Sequence, residues 1–521
     1  MSSIVDEPRA FRRGHRATPP LAARLRPALP LIAVTIAAIV LRLLMVTATD
    51  VSWLITLSEK VLDGTRLYVD LIEVNPPASV LLYLPAVALA RWVGVAPEIA
   101  VNALVFLAAG ASLWITSRIL TRARLLDGTE GWTLAAFAAF LLLVFPARTF
   151  AQREHIAVIV LLPALATYVA RAQGISPGFA AAMMAGIGIG IAVSIKPHFA
   201  LAIILAAAAA AYHARSWRPL FALEHRIAGG IIAIYGASIL VFYPQFVTDV
   251  LPLVQTVYVP IRLPWFTILT RTPAILWLLS IFLLVRQLRR GVFQPRFSVL
   301  LMASCGFTLA YAVQGKGWPY HSYPMLALAL LALAILASAR EAMAPEASAI
   351  KHSRMDRHAS LAITAGLVGA AFYWMTIAVD FTALAEIIRR NAIEPKVLAI
   401  SSDIGLGHPL VRQVGGKWAQ RVGSLWITDN AEWLLKTEKS PAAAARLERY
   451  AAGDGAMLRE DIRRERPDII LLDMDWEARV RADPVLSGLL SAYGEAGREK
   501  GIIILGRNGR EKPRERPVGV D

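Results

Sequence analysis

Apolar runs separated by short polar stretches dominate the first three-quarters of the chain. They cover residues 27–49, 78–95, 98–117, 132–150, 156–172, 178–195, 199–212, 227–244, 273–285, 297–314, 322–338 and 359–380. A helix that crosses the ~30 Å hydrocarbon core of a bilayer needs about 20 apolar residues, so these runs predict a bundle of membrane helices. The basic residues between them choose the topology. If both 78–95 and 98–117 cross, Arg118, Arg122 and Arg124 fall outside. If only 98–117 crosses, they share the inner side with Arg171, Arg215, Arg218, Arg226, Arg286, Arg289, Arg290, Arg296, Arg340, Lys351, Arg354 and Arg357. The positive-inside rule selects the second arrangement. It predicts eleven spans, with 78–95 as a juxtamembrane or re-entrant helix.

The pattern changes beyond residue 380. Residues 396–401, 468–473 and 501–505 read as buried strands, and 442–452 and 457–465 as helices. Strands alternating with helices predict a small α/β domain. Ile404-Gly-Leu-Gly-His408 follows the first strand but lacks the spacing of a dinucleotide loop and the P-loop lysine, which argues against nucleotide binding. The last ten residues, charged and proline-containing, predict disorder. The fold class is therefore a polytopic α-helical membrane protein with a small C-terminal α/β domain. Residues 1–26 form a basic cytoplasmic N-terminus, 27–380 the membrane domain and 381–521 an extracytoplasmic domain.

Composition agrees. Of 521 residues, 56% are hydrophobic and 18% charged, and mean hydropathy is +0.53. A soluble chain of this size carries more charge. The net charge of +16 lies between apolar spans rather than in one patch, which is the mark of membrane loops and not of nucleic-acid binding. Cys305 is the single cysteine, so there is no disulfide framework. Arg9, Arg12, Arg13, Arg16, Arg24 and Arg26 precede an apolar run too long for a cleaved leader, which predicts a retained signal anchor.

One polar stretch stands out, residues 50–77, DVSWLITLSEKVLDGTRLYVDLIEVNPP. Asp50 falls where the chain leaves the first span, and an ionisable residue there is a functional candidate. Leu54, Leu57 or Ser58, Val61 and Leu62 share one helical face and Glu59, Lys60 and Asp63 the other. This predicts an amphipathic helix lying on the membrane and ended by Gly64. Pro76 and Pro77 stiffen the loop that holds Tyr68, Asp70, Glu73 and Asn75. In the predicted topology Asp50, Asp70, Glu73, Arg153, Glu154, His155, Lys196, His198, Lys316, Tyr320 and His321 all reach the outer membrane surface. The set contains a base, cations suited to a phosphate, and aromatic rings. A hydrolase or transferase site on this face would use such a set, with a carboxylate as base and donors for the charge that develops on a leaving phosphate.

An Asp after the first span, Gly64, Tyr68 and Asp70, and then Asn75-Pro76-Pro77 resemble the first external loop of GT-C superfamily glycosyltransferases. The likeness is to the branch of protein O-mannosyltransferases and lipid A aminoarabinose transferases. Many members carry Asp-Glu where this chain has Asp50-Val51, so a second acidic residue comes from elsewhere, Glu154 being the candidate. The resemblance implies Asp50 as catalytic base and a polyprenyl-phosphate sugar as donor. It also implies a glycan, lipid or protein acceptor and a bacterial-type inner membrane. Lys196-Pro197, and Tyr320, His321 and Pro324, look like family elements that approach the donor phosphate. No obligatory cofactor is implied; a divalent metal is an open alternative if Asp50 and Glu154 converge.

Plainer roles exist for each residue. Asp50 could cap a helix or pair with Arg42, Glu154 could pair with Arg148 or Arg153, and Lys196 could snorkel to headgroups. Asp70, Glu73 and Asn75 could be scaffolding, and Trp265 and Trp318 belt aromatics. Two other functions compete. A glycan polymerase or ligase of another membrane fold would carry a large loop within the bundle. A secondary transporter would show paired broken helices at mid-membrane. The sequence names neither the sugar nor the acceptor.

Overall fold

The computed structural model describes residues 26–509 apart from 127, 289–293, 343–349 and 378. The basic N-terminal segment, Arg289, Arg290 and the last ten residues lie outside the described residues, as do the side chains of Arg340, Lys351, Arg354 and Arg357.

Helix α1 (Leu29–Leu44) bends by 73° into α2 (Thr49–Leu62). A single turn, Ala78–Leu81, then leads into α3 (Leu84–Val93). Ten residues of helix reach about 15 Å, half the hydrocarbon core, so α3 by itself is shorter than a full span. It packs between α2 and α4 (Pro97–Arg122). The bundle continues with α5 (Gly128–Ala139, extended by a π turn, Phe140–Val144), α6 (Arg153–Ala172), α7 (Phe179–Ile195), α8 (Ala200–His213) and α9 (Leu223–Phe242). It closes with α10 (Thr272–Leu288), α11 (Pro295–Gln314), α12 (Pro319–Ala342) and α13 (Ile350–Thr376). A helix thus stands at each of the eleven predicted span positions. Among the described residues five are long and apolar enough to cross unaided, or six if α1 and α2 count as one broken span.

Helix α6 is the buried axis, and its sequence shows how. Pro163 has no N–H, which frees the Ile159 carbonyl one turn earlier. Ser112 of α4 donates to that carbonyl at 2.5 Å, so the proline is tolerated at no loss of a hydrogen bond. Glycines set the closest approaches. A Cβ on Gly188 would meet the Val160 carbonyl oxygen at 2.0 Å, and one on Gly306 would meet the Ala202 Cα at 2.3 Å. Small residues at such crossings let helix backbones touch where lipid offers no hydrophobic drive. By contrast α9 is barely buried and presents Ile234, Leu240, Val241 and Phe242 outward.

After α14 (Thr382–Asn391) the chain forms a five-stranded sheet in the order β2-β1-β3-β5-β4. The strands are β1 (Lys396–Ile400), β2 (Lys417–Trp418), β3 (Ile469–Asp473), β4 (Tyr493–Glu499) and β5 (Ile502–Arg507). β1 pairs with β2 and β3 in parallel; β3–β5 and β5–β4 are antiparallel. Alternation sorts the side chains onto two faces. Leu398, Ile400, Ile470, Leu472 and Ile503 pack with Leu458 and Ile462 of helix α16 (Pro441–Glu465), while Val397, Ala399, Ile469, Leu471 and Ile504 join the core that continues into the membrane domain. Two predicted helices, 442–452 and 457–465, are one: α16 runs through Gly453 and Gly455, each of which costs only about 1 kcal/mol in a helix.

The sheet domain corrects the reading of 50–63. Residues Val51 to Ser58 of α2 are all buried, so α2 does not lie on a membrane surface. The domain covers its polar face instead. Arg412 pairs with Glu59 and with Glu98 of α4, and Lys60 Nζ donates to the Gln420 carbonyl at 3.0 Å, while Asp63 pairs with Arg91 of α3 at 2.8 Å. Gly64 ends the helix with φ +90° as predicted. Burial beside Gln420 holds the Lys60 ammonium down to about 8, with the carboxylates of Asp461 and Glu465 pulling the other way.

Candidate functional site

Four helix ends meet at one pole of the bundle: the starts of α6 and α12 and the ends of α7 and α11. The first turn of α2 joins them. Asp50 sits in the first turn of α2, Arg153 and Glu154 in the first turn of α6. Lys196 is the residue that terminates α7, Gln314 the last of α11, and Tyr320 and His321 open α12. A carboxylate suits a helix N-terminus and a cation does not, so Glu154 is at home there while Arg153 requires a partner. That partner is Asp50, whose Oδ2 lies 2.9 Å from Arg153 Nη2.

Beneath this pair lies a second. Lys196 Nζ donates to Glu154 Oε1 at 2.5 Å and to Gln314 Oε1 at 3.2 Å, and stands 3.5 Å from His321 Nε2. His321 Nε2 is also 3.6 Å from Glu154 Oε1, and the ammonium lies 5.6 Å from the centre of the Tyr320 ring. All three Lys196 hydrogens are therefore directed at protein groups. Several enclosed polar atoms have no partner: Arg153 Nε and Nη1, Glu154 Oε2, His321 Nδ1 and His198 Nε2. When His321 Nε2 accepts from Lys196, Nδ1 carries the ring proton. Three of these atoms are then N–H donors aimed at nothing in the protein. Groups of this kind normally find partners, and leaving one bare costs about 1–3 kcal/mol.

The two carboxylates differ in access. The Glu154 side chain is 0% exposed and that of Asp50 is 18%. Among the described residues only Arg153 hydrogen-bonds to the Asp50 side chain, through Oδ2, which leaves Oδ1 without a protein donor. Each carboxylate has a cation of its own, and no three His, Cys, Asp or Glu side chains gather as a metal set among the described residues.

The remaining predicted residues have other places. Glu73 is buried under α2: Oε2 accepts from Trp53 Nε1 at 2.6 Å and Oε1 from the Asn75 backbone N–H at 3.0 Å and from its side-chain amide. The Asn75 carbonyl accepts from Tyr68 at 2.5 Å. Glu73 and Asn75 thus fix the loop that backs Asp50. Asp70 pairs with Arg66 on the surface and is not brought to the cluster. Nor is His155: its Nδ1 accepts from the Ala151 N–H at 3.0 Å and its Nε2 donates to the Leu142 carbonyl at 2.6 Å, so both nitrogens are spent in the core. Lys316 Nζ donates to the carbonyls of Tyr258 and Ile261 and sits 3.9 Å from the centre of the Tyr258 ring, fastening the 258–263 loop beside the cluster. Sequence reading missed Gln314 and Trp53. Each had a signal: a polar residue ending an apolar span, and an aromatic one helical turn from Asp50.

Two solved structures share the architecture. ArnT from Cupriavidus metallidurans bound to undecaprenyl phosphate superposes with a TM-score of 0.54 at 12% identity, covering 91% of this chain and 97% of that one. The same protein in its apo state gives 0.51 at 13% identity with the same coverage. The chain therefore has the ArnT fold. No protein-family profile matches the sequence, and no curated protein does.

Proposed function

We propose that this protein is an inverting glycosyltransferase that moves a sugar from a polyprenyl-phosphate donor to an acceptor hydroxyl at the outer face of a bacterial-type inner membrane. The observation that carries this reading is the contrast within one cluster. A partly exposed carboxylate, Asp50, adjoins enclosed N–H donors of Arg153 and His321 that no protein group satisfies. The neighbour of the same fold that binds undecaprenyl phosphate supports a donor of that class.

Asp50 is the base. Its Oδ1 takes the proton from the acceptor hydroxyl as that oxygen bonds to the anomeric carbon, while the bond from that carbon to the phosphate oxygen breaks. The electron pair leaves with the polyprenyl phosphate. Arg153 holds Oδ2 and so aims the carboxylate, and its free Nε and Nη1, with His321 Nδ1, meet the charge growing on the phosphate. Lys196 reaches the phosphate by releasing Gln314. Glu154 positions Lys196; a base must meet the acceptor, and the full burial of Glu154 makes it the poorer candidate. Asn75 and Glu73 brace α2 from behind.

Incubating the purified protein with a panel of polyprenyl-phosphate pentoses and hexoses, with acceptor lipids and glycans, tests the reading. Turnover of at least one donor, with inverted anomeric configuration, is expected. No turnover of any donor by a protein that binds polyprenyl phosphate would point to a lipid carrier role instead. The sidedness rests on charge alone: cysteines at Arg122 and Lys439 should label from the inside and the outside of intact cells respectively, and the reverse would overturn it.

A further inference from the structure

A polar cleft of about 200 Å³ opens between the sheet domain and the loop after Tyr258, apart from the Asp50 cluster. One wall is Ile261. The other is helix α15 (Trp426–Leu435), which contributes Asp429, Asn430 and Trp433, with Lys436 just beyond it and Arg479 at the base. The base is rigid. Arg479 lies 2.5 Å from Glu432 and 3.8 Å from Asp429, and its guanidinium is 4.5 Å from the centre of the Trp476 ring. The groups above it are not committed. Among the described residues the side chains of Asn430, Trp433 and Lys436 have no hydrogen-bond partner, and Trp433 is 53% exposed.

We propose that this cleft binds a neutral saccharide and is the seat of the acceptor glycan, an inference that rests on the transferase reading above. Three observations lead there. The first is Trp433: a broad apolar face beside an indole N–H suits the C–H face and rim hydroxyls of a pyranose ring. The second is the set of unpartnered donors and acceptors, Asn430 and Lys436, beside the Arg479–Glu432 ion pair, which is the mixture that orients a polyhydroxyl ligand. The third is charge. Asp429 and Glu432 balance Lys436 and Arg479, so the cleft has no excess positive charge to draw a phosphate-rich ligand. The Ile261 wall also ties the cleft to the reaction centre. Lys316 holds the Ile261 carbonyl, Leu263 N–H donates to the Gly315 carbonyl at 2.8 Å, and the Gly315–Trp318 turn leads straight into Tyr320 and His321.

The test uses the full-length protein in nanodiscs and a panel of soluble neutral hexose and pentose oligosaccharides, read by saturation-transfer NMR. At least one oligosaccharide should bind to the wild type and to Asp50→Asn. Binding should weaken at least tenfold in Trp433→Ala and in Asn430→Ala, while Trp265→Ala, an exposed tryptophan elsewhere, leaves it unchanged. Absence of binding by the whole panel, or equal binding by the Trp433→Ala and Asn430→Ala variants, would overturn the proposal. Donor turnover measured on the same samples separates the two readings. Turnover without any saccharide binding at Trp433 removes the cleft and leaves the transferase. Saccharide binding in a protein that turns over no donor keeps the ligand site but removes its role as acceptor seat.

Discussion

Arg153 Nη2 lies 2.9 Å from Asp50 Oδ2, and this single ion pair joins the first turn of α2 to the first turn of α6. It links a residue whose helix is clamped by the sheet domain to the buried axis of the bundle. The position of Asp50 is therefore set from both sides. Arg153 spends one of its N–H groups on that task and keeps Nε and Nη1 enclosed and unpartnered.

Arg153→Lys should separate these two duties. A lysine still pairs with Asp50 but offers no second face of the fork. Donor affinity should fall by about 1.5–3 kcal/mol, the usual worth of hydrogen bonds to a charged group, with normal folding. Titration of polyprenyl phosphate into the purified variant measures it; wild-type affinity would move the phosphate to Lys316, Arg262 or Arg271.

The Glu154–Lys196 pair makes a prediction about stability. Both side chains are almost wholly buried. Glu154→Leu strands the ammonium and should cost about 3–5 kcal/mol, whereas Glu154→Leu combined with Lys196→Met should regain most of that. Thermal unfolding followed by size-exclusion in detergent reads both. A double variant no better than the single one would mean that the ion pair carries no coupling.

Asp454 makes the sheet domain sensitive to pH. It is buried in α16 and accepts from both the backbone N–H and the hydroxyl of Thr428. Burial pushes its carboxyl up to about 6, against the pull of the Thr428 hydrogen bonds. The folded domain thus holds the proton more tightly than the unfolded chain, so Asp454 favours folding below pH 4 and loses that contribution as pH rises to 6. Relative to wild type, Asp454→Asn should gain stability by roughly 2–3 kcal/mol between pH 4 and pH 7, at about 1.4 kcal/mol per pH unit. Melting curves of both proteins across this range test it, and a constant difference would contradict it.

What the sequence disclosed, and what it hid, follows from range. Span positions were legible because hydropathy is local, and the polar cluster was legible because the order of the spans alone brings Asp50, Glu154, Lys196 and His321 to one pole. The fate of Glu59 was not. Its partner Arg412 lies 353 residues away, and nothing in the α2 pattern distinguishes a wet face from one covered by another domain. Strand β4, Tyr493–Glu499, was invisible for a different reason: YGEAGRE has no apolar alternation, because it is an edge strand held by backbone pairing to β5. His155, adjacent to Glu154 in sequence, points the other way because neighbours on a helix diverge by about 100°, and it closes two core hydrogen bonds instead of facing the site.

The central claim is that Asp50 is the base of an inverting transfer, and Asp50→Asn tests it most directly. The amide preserves size and can still meet Arg153 through its oxygen, but it cannot accept the acceptor proton. The variant should fold, bind polyprenyl phosphate within a few-fold of wild type, and transfer sugar about 10²–10⁴-fold more slowly, with the residual product carrying the anomeric configuration opposite to the donor's. Near-normal transfer by Asp50→Asn, with transfer abolished in Glu154→Gln, would assign the base to Glu154; retention of configuration in the wild-type product would contradict single displacement altogether.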